Sequence, residues 1–148
     1  MTRVLVALDE SESCLRAART AARLFPGYNT DFLVLNVARV TAPWLPVAAY
    51  GEVAGMGSAW DGTIERPSER EITAMARTAG IQEPHVMAEV GDPADRICEV
   101  AEQYDVDLIV VGGHEKGFLG RLLDPSVSAA VVRATYRPVL VVSGEPPC

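Results

Sequence analysis

Hydrophobic residues along the chain fall into five short runs, flanked by segments in which apolar residues recur at helical spacing. Short apolar runs with little polar alternation are typical of strands that are buried on both faces, as in a parallel sheet. We therefore predict five strands, of which the third is the most amphipathic. They cover residues 4–8, 32–37, 85–90, 108–111 and 138–142.

Four helices are predicted between the strands, because apolar residues recur there at positions i, i+3, i+4 and i+7. Start and stop signals agree: Asp92 and Pro93 suit the N-cap and first position of the third helix, and Pro26-Gly27 ends the first. The predicted buried faces consist of Cys14, Ala17, Ala18, Ala21 and Ala22; Ile72, Met75, Ala76 and Ala79; Ile97, Val100, Ala101 and Tyr104; and Val127, Ala130, Val131 and Ala134.

Strands that alternate with helices predict a single α/β domain over residues 1–148, in which helical crossovers make the sheet parallel. Such sheets bind ligands beyond the carboxyl ends of their strands, where the winding direction reverses. The strand order 3-2-1-4-5 would place the loops at Asp9 and Gly112 in one crevice. Periodicity does not separate this order from 2-1-3-4-5.

Residues 38–65 show neither the apolar runs of the predicted strands nor helical spacing. They are rich in proline, glycine and scattered aromatics, including Trp44 and Trp60. A loop of this length inside a compact domain is usually functional or forms an interface. A partly disordered insertion is the alternative, and both interpretations stay open. We expect the tail, residues 143–148, to be loose.

Charge and cysteine content narrow the possible partners. The formal net charge of -7 disfavours nonspecific binding to nucleic acid or to anionic membrane surfaces, which requires basic faces. No apolar run approaches the roughly 20 residues that a membrane span needs. The three cysteines are scattered and odd in number, so they predict a reducing cytoplasm rather than a disulfide framework.

A glycine-rich loop joins the fourth strand to the last helix. Gly112-Gly113 ends an apolar run, and Ser126-Val127-Ser128 lies where helical spacing resumes. Strand, glycine loop and helix start form the arrangement from which protein backbones build anion sites, because free N–H groups at a helix N-terminus point outward.

Taken in order, these residues resemble the universal stress protein family. The likeness rests on V-L-V-A-L-D followed by Ser11, on Asn36-Val37 where the family usually has His-Val, and on Gly91-Asp92-Pro93-Ala94. It continues through residues 106–112, Ser126-Val127-Ser128 and residues 137–142. The resemblance implies the sheet order 3-2-1-4-5 and a homodimer joined through the last strands, here Val139–Val142.

A subset of that family binds ATP through the motif G-x2-G-x9-G-[ST]. Gly112 matches its first glycine, and His114 and Ser126 also fit, but Glu115 and Pro125 occupy the second and third glycine positions. Asp9 matches the family's acidic residue near adenine and ribose, and Val37 the residue whose backbone meets the adenine. The candidate nucleotide crevice thus comprises Ala7, Leu8, Asp9, Val37, Gly112, His114, Glu115, Ser126, Val127 and Ser128.

The departures from this motif oppose a triphosphate. Pro125 has no N–H to donate, and Glu115 and Asp124 bring negative charge towards the phosphates. At ~4 Å and an effective dielectric near ~20, each like-charge contact costs on the order of 4 kcal/mol. That corresponds to roughly 10²- to 10³-fold in affinity. We therefore predict a degraded site with weak or no ATP binding. The alternative is a protein that binds ATP or another adenine nucleotide, with slow metal-dependent ATPase activity.

Simpler roles exist for several of these residues. Asp9 suits the cap of the first helix, Ser126 suits the N-cap of the last, and His114 suits a solvated loop position. Cys14 and Cys98 suit small core fillers on helices. Neither a metal-ligand cluster nor a nucleophile paired with a positioned base is evident.

A phosphorylatable receiver domain is the rival from another class. It also places acids after the first and third strands, here Asp9-Glu10 and Asp92. It is disfavoured because Gly112-Gly113 and Ser143-Gly144 stand where that class needs a hydroxyl and a lysine. The resemblance therefore implies a regulatory or binding module in the stress response. We predict that it is non-catalytic, with no resident cofactor expected.

Overall fold

The computed structural model describes residues 1–39, 66–113 and 125–144, and for residues 125 and 126 it describes the backbone only. The predicted long loop from residue 40 onward lies outside these ranges. So do His114, Glu115 and Asp124 in the glycine loop, and the tail from residue 145. The interpretations given to those residues above stay predictions.

Strands and helices alternate along the described ranges, as the apolar pattern predicts. The second strand is longer than predicted, because it begins two residues earlier and includes Ala38. The elements are β1 (Thr2–Ala7), α1 (Glu12–Leu24), a 3-10 turn (Gly27–Asn29), β2 (Thr30–Ala38), α2 (Glu69–Thr78), β3 (His85–Val90), α3 (Pro93–Gln103), β4 (Leu108–Gly112), α4 (Pro125–Ala134) and β5 (Val139–Val142).

All five strands pair in parallel in the order β3-β2-β1-β4-β5, which confirms the α/β prediction and selects 3-2-1-4-5 over 2-1-3-4-5. The pairings Val6↔Val34 and Val6↔Val110 place β1 between β2 and β4. The helices that follow β1 and β4, α1 and α4, pack on opposite faces of the sheet, so the winding direction reverses between these two strands. A ligand crevice is expected at the carboxyl edge at such a point.

Each face of the sheet carries its own hydrophobic core, because side chains alternate between the faces along every strand. Val4 and Val6 of β1 face α1 and α2, whereas Leu5 and Ala7 face α3 and α4. Cys14 joins the alanines of α1 in the first core and is fully buried, which confirms its predicted packing role. The small side chains of α1 allow the helix to approach the sheet closely.

The third helix begins as predicted but ends earlier than its apolar spacing indicates. Asp92 is the N-cap, and its side chain accepts a hydrogen bond from the Asp95 N–H at 3.1 Å, with Pro93 in the first turn. Ile97, Val100 and Ala101 are buried. The prediction that Tyr104 continues this face is wrong: it follows the last helical residue and is 38% exposed.

Arg137 fixes the amino edge of the sheet, opposite the crevice. Its guanidinium donates to both carboxylate oxygens of Glu102, at 3.1 and 3.0 Å, and to Asp105 at 2.7 Å. It also donates to the Val106 carbonyl at 2.9 Å. The bonds from Arg137 lower the pKa of Glu102. This network joins the end of α3 to the start of β5.

No helix in the described ranges is long and apolar enough to cross a lipid bilayer.

Gly112, at the end of β4, lies directly against the first turn of α1. A Cβ atom on Gly112 would lie 2.7 Å from the Ser13 Oγ and 2.8 Å from the Ser13 carbonyl carbon. Backbone atoms cannot move aside as the end of a flexible side chain can. Glycine at this position therefore sets the distance between α1 and β4.

We predict that Gly112→Ala destabilises the protein by about 1–3 kcal/mol, the usual cost of overpacking a close contact. Urea unfolding followed by circular dichroism measures this. The matched control is Gly27→Ala, because a Cβ there meets no atom within 4 Å. Its stability should stay within about 1 kcal/mol of the wild type. Equal effects of the two substitutions would contradict the assigned contact.

Candidate functional site

A small crevice opens at the carboxyl ends of β1 and β2, under the first turns of α3. Its walls are apolar apart from one carboxylate. The sheet supplies one wall, and Pro93 and Ile97 of α3 supply the other. The residues that line it are Ala7, Leu8, Asp9, Leu35, Val37, Pro93 and Ile97. Sequence reasoning missed Leu35, Pro93 and Ile97, which it assigned to structural elements only.

Asp9 is the polar residue of the crevice and is only 5% exposed. Its Oδ1 accepts a hydrogen bond from the Ser11 N–H at 2.7 Å, whereas Oδ2 is buried and has no hydrogen-bond partner among the described residues. Burial of a charged oxygen without a donor is costly. The geometry therefore leaves one carboxylate oxygen available to a ligand that can donate.

The predicted role of Asp9 as the cap of α1 is wrong. Ser11 is the N-cap, and its side chain accepts from the Cys14 N–H at 3.3 Å. The helix begins at Glu12, so the Asp9 side chain instead closes the turn at Ser11. This arrangement frees the second oxygen of Asp9 from helix capping.

The backbone of Val37 faces the same crevice. Leu8 donates its N–H to the Leu35 carbonyl at 2.9 Å, so the polar groups of Leu35 point towards β1. Those of Val37 point the same way, because orientation alternates along a strand. Ala38 confirms the alternation, since its carbonyl accepts from the Gly91 N–H on the β3 side at 3.0 Å. The paired register of β1 and β2 ends at Ala7↔Leu35, short of Val37.

Asn36 holds this end of the sheet, and sequence reasoning noted it only as a departure from the histidine usual in the resembled family. It is 2% exposed. Its Nδ2 donates to the Leu8 carbonyl at 2.9 Å, across the two strands. The signal that could have found it is a polar residue within an otherwise apolar strand, since such a residue must find a partner inside.

The structure brings together five of the ten predicted site residues at one edge of the sheet: Ala7, Leu8, Asp9, Val37 and Gly112. Val127 in the first turn of α4 belongs to the same core as Ala7 and Val37, and Ser128 follows it. Ser126 is the second residue of α4, and an N-cap residue precedes the helix. Its predicted N-cap role is therefore wrong. The positions of His114 and Glu115 lie outside the described residues.

Two cysteines lie within the described ranges, and their surroundings favour the protonated thiol. Burial, reinforced by the negative charge of Asp9, raises the pKa of the Cys14 thiol far above its usual range. Burial also raises the pKa of Cys98, and the nearby Asp95, Glu102 and Glu99 raise it further. Within the described ranges, no group of three or more His, Cys, Asp or Glu residues is placed to hold a metal ion.

Known proteins resemble this chain over nearly its whole length. The model of the family described as "Universal stress protein family" matches residues 1–143. A universal stress protein of Methanocaldococcus jannaschii is 30% identical over 146 residues, which cover 95% of this chain and 81% of the relative. One of Thermus aquaticus is 30% identical over 139 residues, or 94% and 96% of the two chains. A solved universal stress protein in complex with cAMP is 28% identical, with a TM-score of 0.61 over 95% of both chains.

We predict that Cys14 resists alkylation by iodoacetamide at pH 8 in the native protein. A raised pKa keeps the thiol protonated at that pH, and the thiolate is the form that reacts. Peptide mass spectrometry measures the labelling of each cysteine over time. In urea, where burial is lost, Cys14 should label fully and serves as its own control. Native labelling of Cys14 as fast as in urea would contradict its assigned environment.

Proposed function

The chain belongs to the universal stress protein family, and on that premise we propose that it is a regulatory module of the stress response that binds an adenine mononucleotide in the crevice. In this proposal it acts by binding rather than by catalysis. Its ligand carries one phosphate, not the three of ATP.

The observation that carries the proposal is the Oδ2 of Asp9, which is buried and finds no hydrogen-bond partner in the part of the chain that the structure describes. A carboxylate oxygen is an acceptor only, so the group that satisfies it must be a donor. Sugar hydroxyls are such donors, and hydrogen bonds to charged acceptors are stronger than neutral ones. A ribose therefore suits the polar end of the crevice.

In polarity, the rest of the crevice suits a heteroaromatic ring, which would have to widen the space of about 20 Å³ that the described residues leave there. Its apolar walls are formed by Leu35 and Val37 on one side and by Pro93 and Ile97 on the other. At the edge, the Val37 backbone offers one N–H and one carbonyl side by side. Adenine presents the complementary pair, an amino donor beside a ring nitrogen acceptor. The related structure that holds cAMP supports an adenine mononucleotide.

Sequence supports the preference for few phosphates. Pro125 begins α4 and has no N–H, so the first turn of this helix offers one donor fewer than usual. Glu115 and Asp124 add negative charge to the loop that precedes it. The N–H groups that follow Pro125 can still meet one phosphate. A triphosphate carries more negative charge than a monophosphate, so acidic residues in the motif disfavour it more strongly.

We further propose a homodimer joined through β5. This strand lies at the edge of the sheet, so one row of its N–H and carbonyl groups has no neighbouring strand among the described elements. Exposed apolar side chains occur in β5 and in the preceding helix and turn: Val141 is 38% exposed, Val132 is 51% exposed and Tyr136 is fully exposed. Pairing with a second copy would satisfy the edge and cover these side chains.

The first test is calorimetric titration with AMP, 2′,3′-dideoxy-AMP and ATP. We expect the wild type to bind AMP more tightly than ATP, and to lose roughly 10- to 100-fold in affinity when the hydroxyls are removed. Asp9→Ala should bind both monophosphates equally weakly. Glu83→Gln is the matched control, because it removes an exposed carboxylate outside the crevice and should bind like the wild type.

Two outcomes would contradict the proposal. If the wild type binds no adenine nucleotide, the crevice has another occupant. Stoichiometric ATP released from the purified protein, detected by mass spectrometry, would refute the preference for one phosphate.

The second test addresses the dimer. We expect wild-type protein to elute as a dimer in size-exclusion chromatography with light scattering. Val141→Lys should be monomeric, because a charge would be placed in the shared edge. Tyr28→Lys is the control: Tyr28 is 90% exposed but lies in the 3-10 turn before β2, away from β5. A monomeric wild type, or a dimeric Val141→Lys variant, would exclude this interface.

A further inference from the structure

The hydrogen-bond ladder between β1 and β2 ends in an irregular way. In a regular parallel ladder, the N–H of Leu8 bonds to the Leu35 carbonyl, and the N–H of Val37 then bonds to the Leu8 carbonyl. The first bond is present, at 2.9 Å. The second is absent, although both residues lie within the described ranges. The Leu8 carbonyl instead accepts the side-chain amide of Asn36, at 2.9 Å.

This exchange of donors determines whether the Val37 N–H has a hydrogen-bond acceptor. Because Asn36 occupies the Leu8 carbonyl, the Val37 N–H has no backbone acceptor on the β1 side in the part of the chain that the structure describes. The N–H points towards β1, whose paired residues have ended, and thus into the crevice beside Asp9. Asn36 is buried, so water does not replace its amide at the Leu8 carbonyl.

We propose that Asn36 is a positioning residue that keeps the Val37 N–H open for a ring-nitrogen acceptor of the bound base. This inference rests on the proposed function of the crevice and adds a residue to it. Without the Asn36 amide, the Leu8 carbonyl would be buried and unsatisfied, a costly state. In a completed parallel ladder, the Val37 N–H would satisfy it. The base would then lose its donor.

The same side chain also fixes the turn that carries Asp9. The Leu8 carbonyl belongs to the peptide that leads into Asp9, and the Ser11 N–H holds the Oδ1 of Asp9 from the other side. The two bonds together orient Oδ2 towards the crevice. Asn36 therefore acts on both polar ends of the site without lining the crevice itself.

The binding experiment compares AMP with 1-deaza-AMP in the wild type and in two variants. The 1-deaza analogue lacks N1, the ring nitrogen beside the amino group of adenine. We expect the wild type to prefer AMP by roughly three- to tenfold, the range of one neutral hydrogen bond. Asn36→Leu removes the amide and should lower this preference towards one. Asn36→His keeps a nitrogen donor the same number of bonds from Cα as the Asn amide, so it should retain the preference. An unchanged preference in a folded Asn36→Leu protein would overturn the inference.

Hydrogen exchange gives a second readout that needs no nucleotide. In the free wild type, the Val37 amide should exchange faster than that of Leu35, which is paired in the ladder. In Asn36→Leu, the Val37 amide should become protected as the ladder closes. Protection of Val37 equal to that of Leu35 in the wild type would overturn the inference, even if Asn36→Leu fails to fold. Failure of the wild type to bind AMP would refute the proposed function alone.

Discussion

The point at which the β1–β2 ladder stops is the constraint on which the crevice depends. Backbone N–H and carbonyl groups need partners when they are buried, so a parallel ladder tends to continue as far as its strands allow. Here Asn36 ends it by supplying a side-chain donor to the Leu8 carbonyl. The strands stay together up to Leu35, and the groups beyond it face the crevice. An opening in the sheet edge thus exists without a break in its core.

The two cores and the amino edge keep that opening in place. Each strand contributes alternate side chains to the two faces, so neither layer of helices can shift without exposing apolar surface. At the far edge, Arg137 joins α3, the following turn and β5 through four hydrogen bonds. At the crevice, by contrast, the Oδ2 of Asp9 is buried without a hydrogen-bond partner among the described residues.

Local sequence patterns predict the elements well but the site only in part. Short apolar runs and helical spacing locate the five strands and four helices of the described ranges, because these signals are local. The strand order depends on contacts between distant segments, and the resemblance supplied it where periodicity could not. Likewise, the role of Asn36 depends on a carbonyl 28 residues away in sequence. The capping errors at Asp9 and Ser126 have the same origin: both residue types suit a cap, and the backbone path decides which residue does it.

Gly112 shows how a motif residue can serve two requirements at once. The contact with Ser13 excludes any side chain at this position, whether or not a nucleotide is present. A chain with this fold would therefore retain the glycine after losing its ligand, since replacing it strains the helix–strand contact. The first glycine of the phosphate motif is for that reason a poor diagnostic of nucleotide binding. Positions 115 and 125, where Glu and Pro replace the other two glycines of the motif, are therefore the ones to compare among homologous sequences.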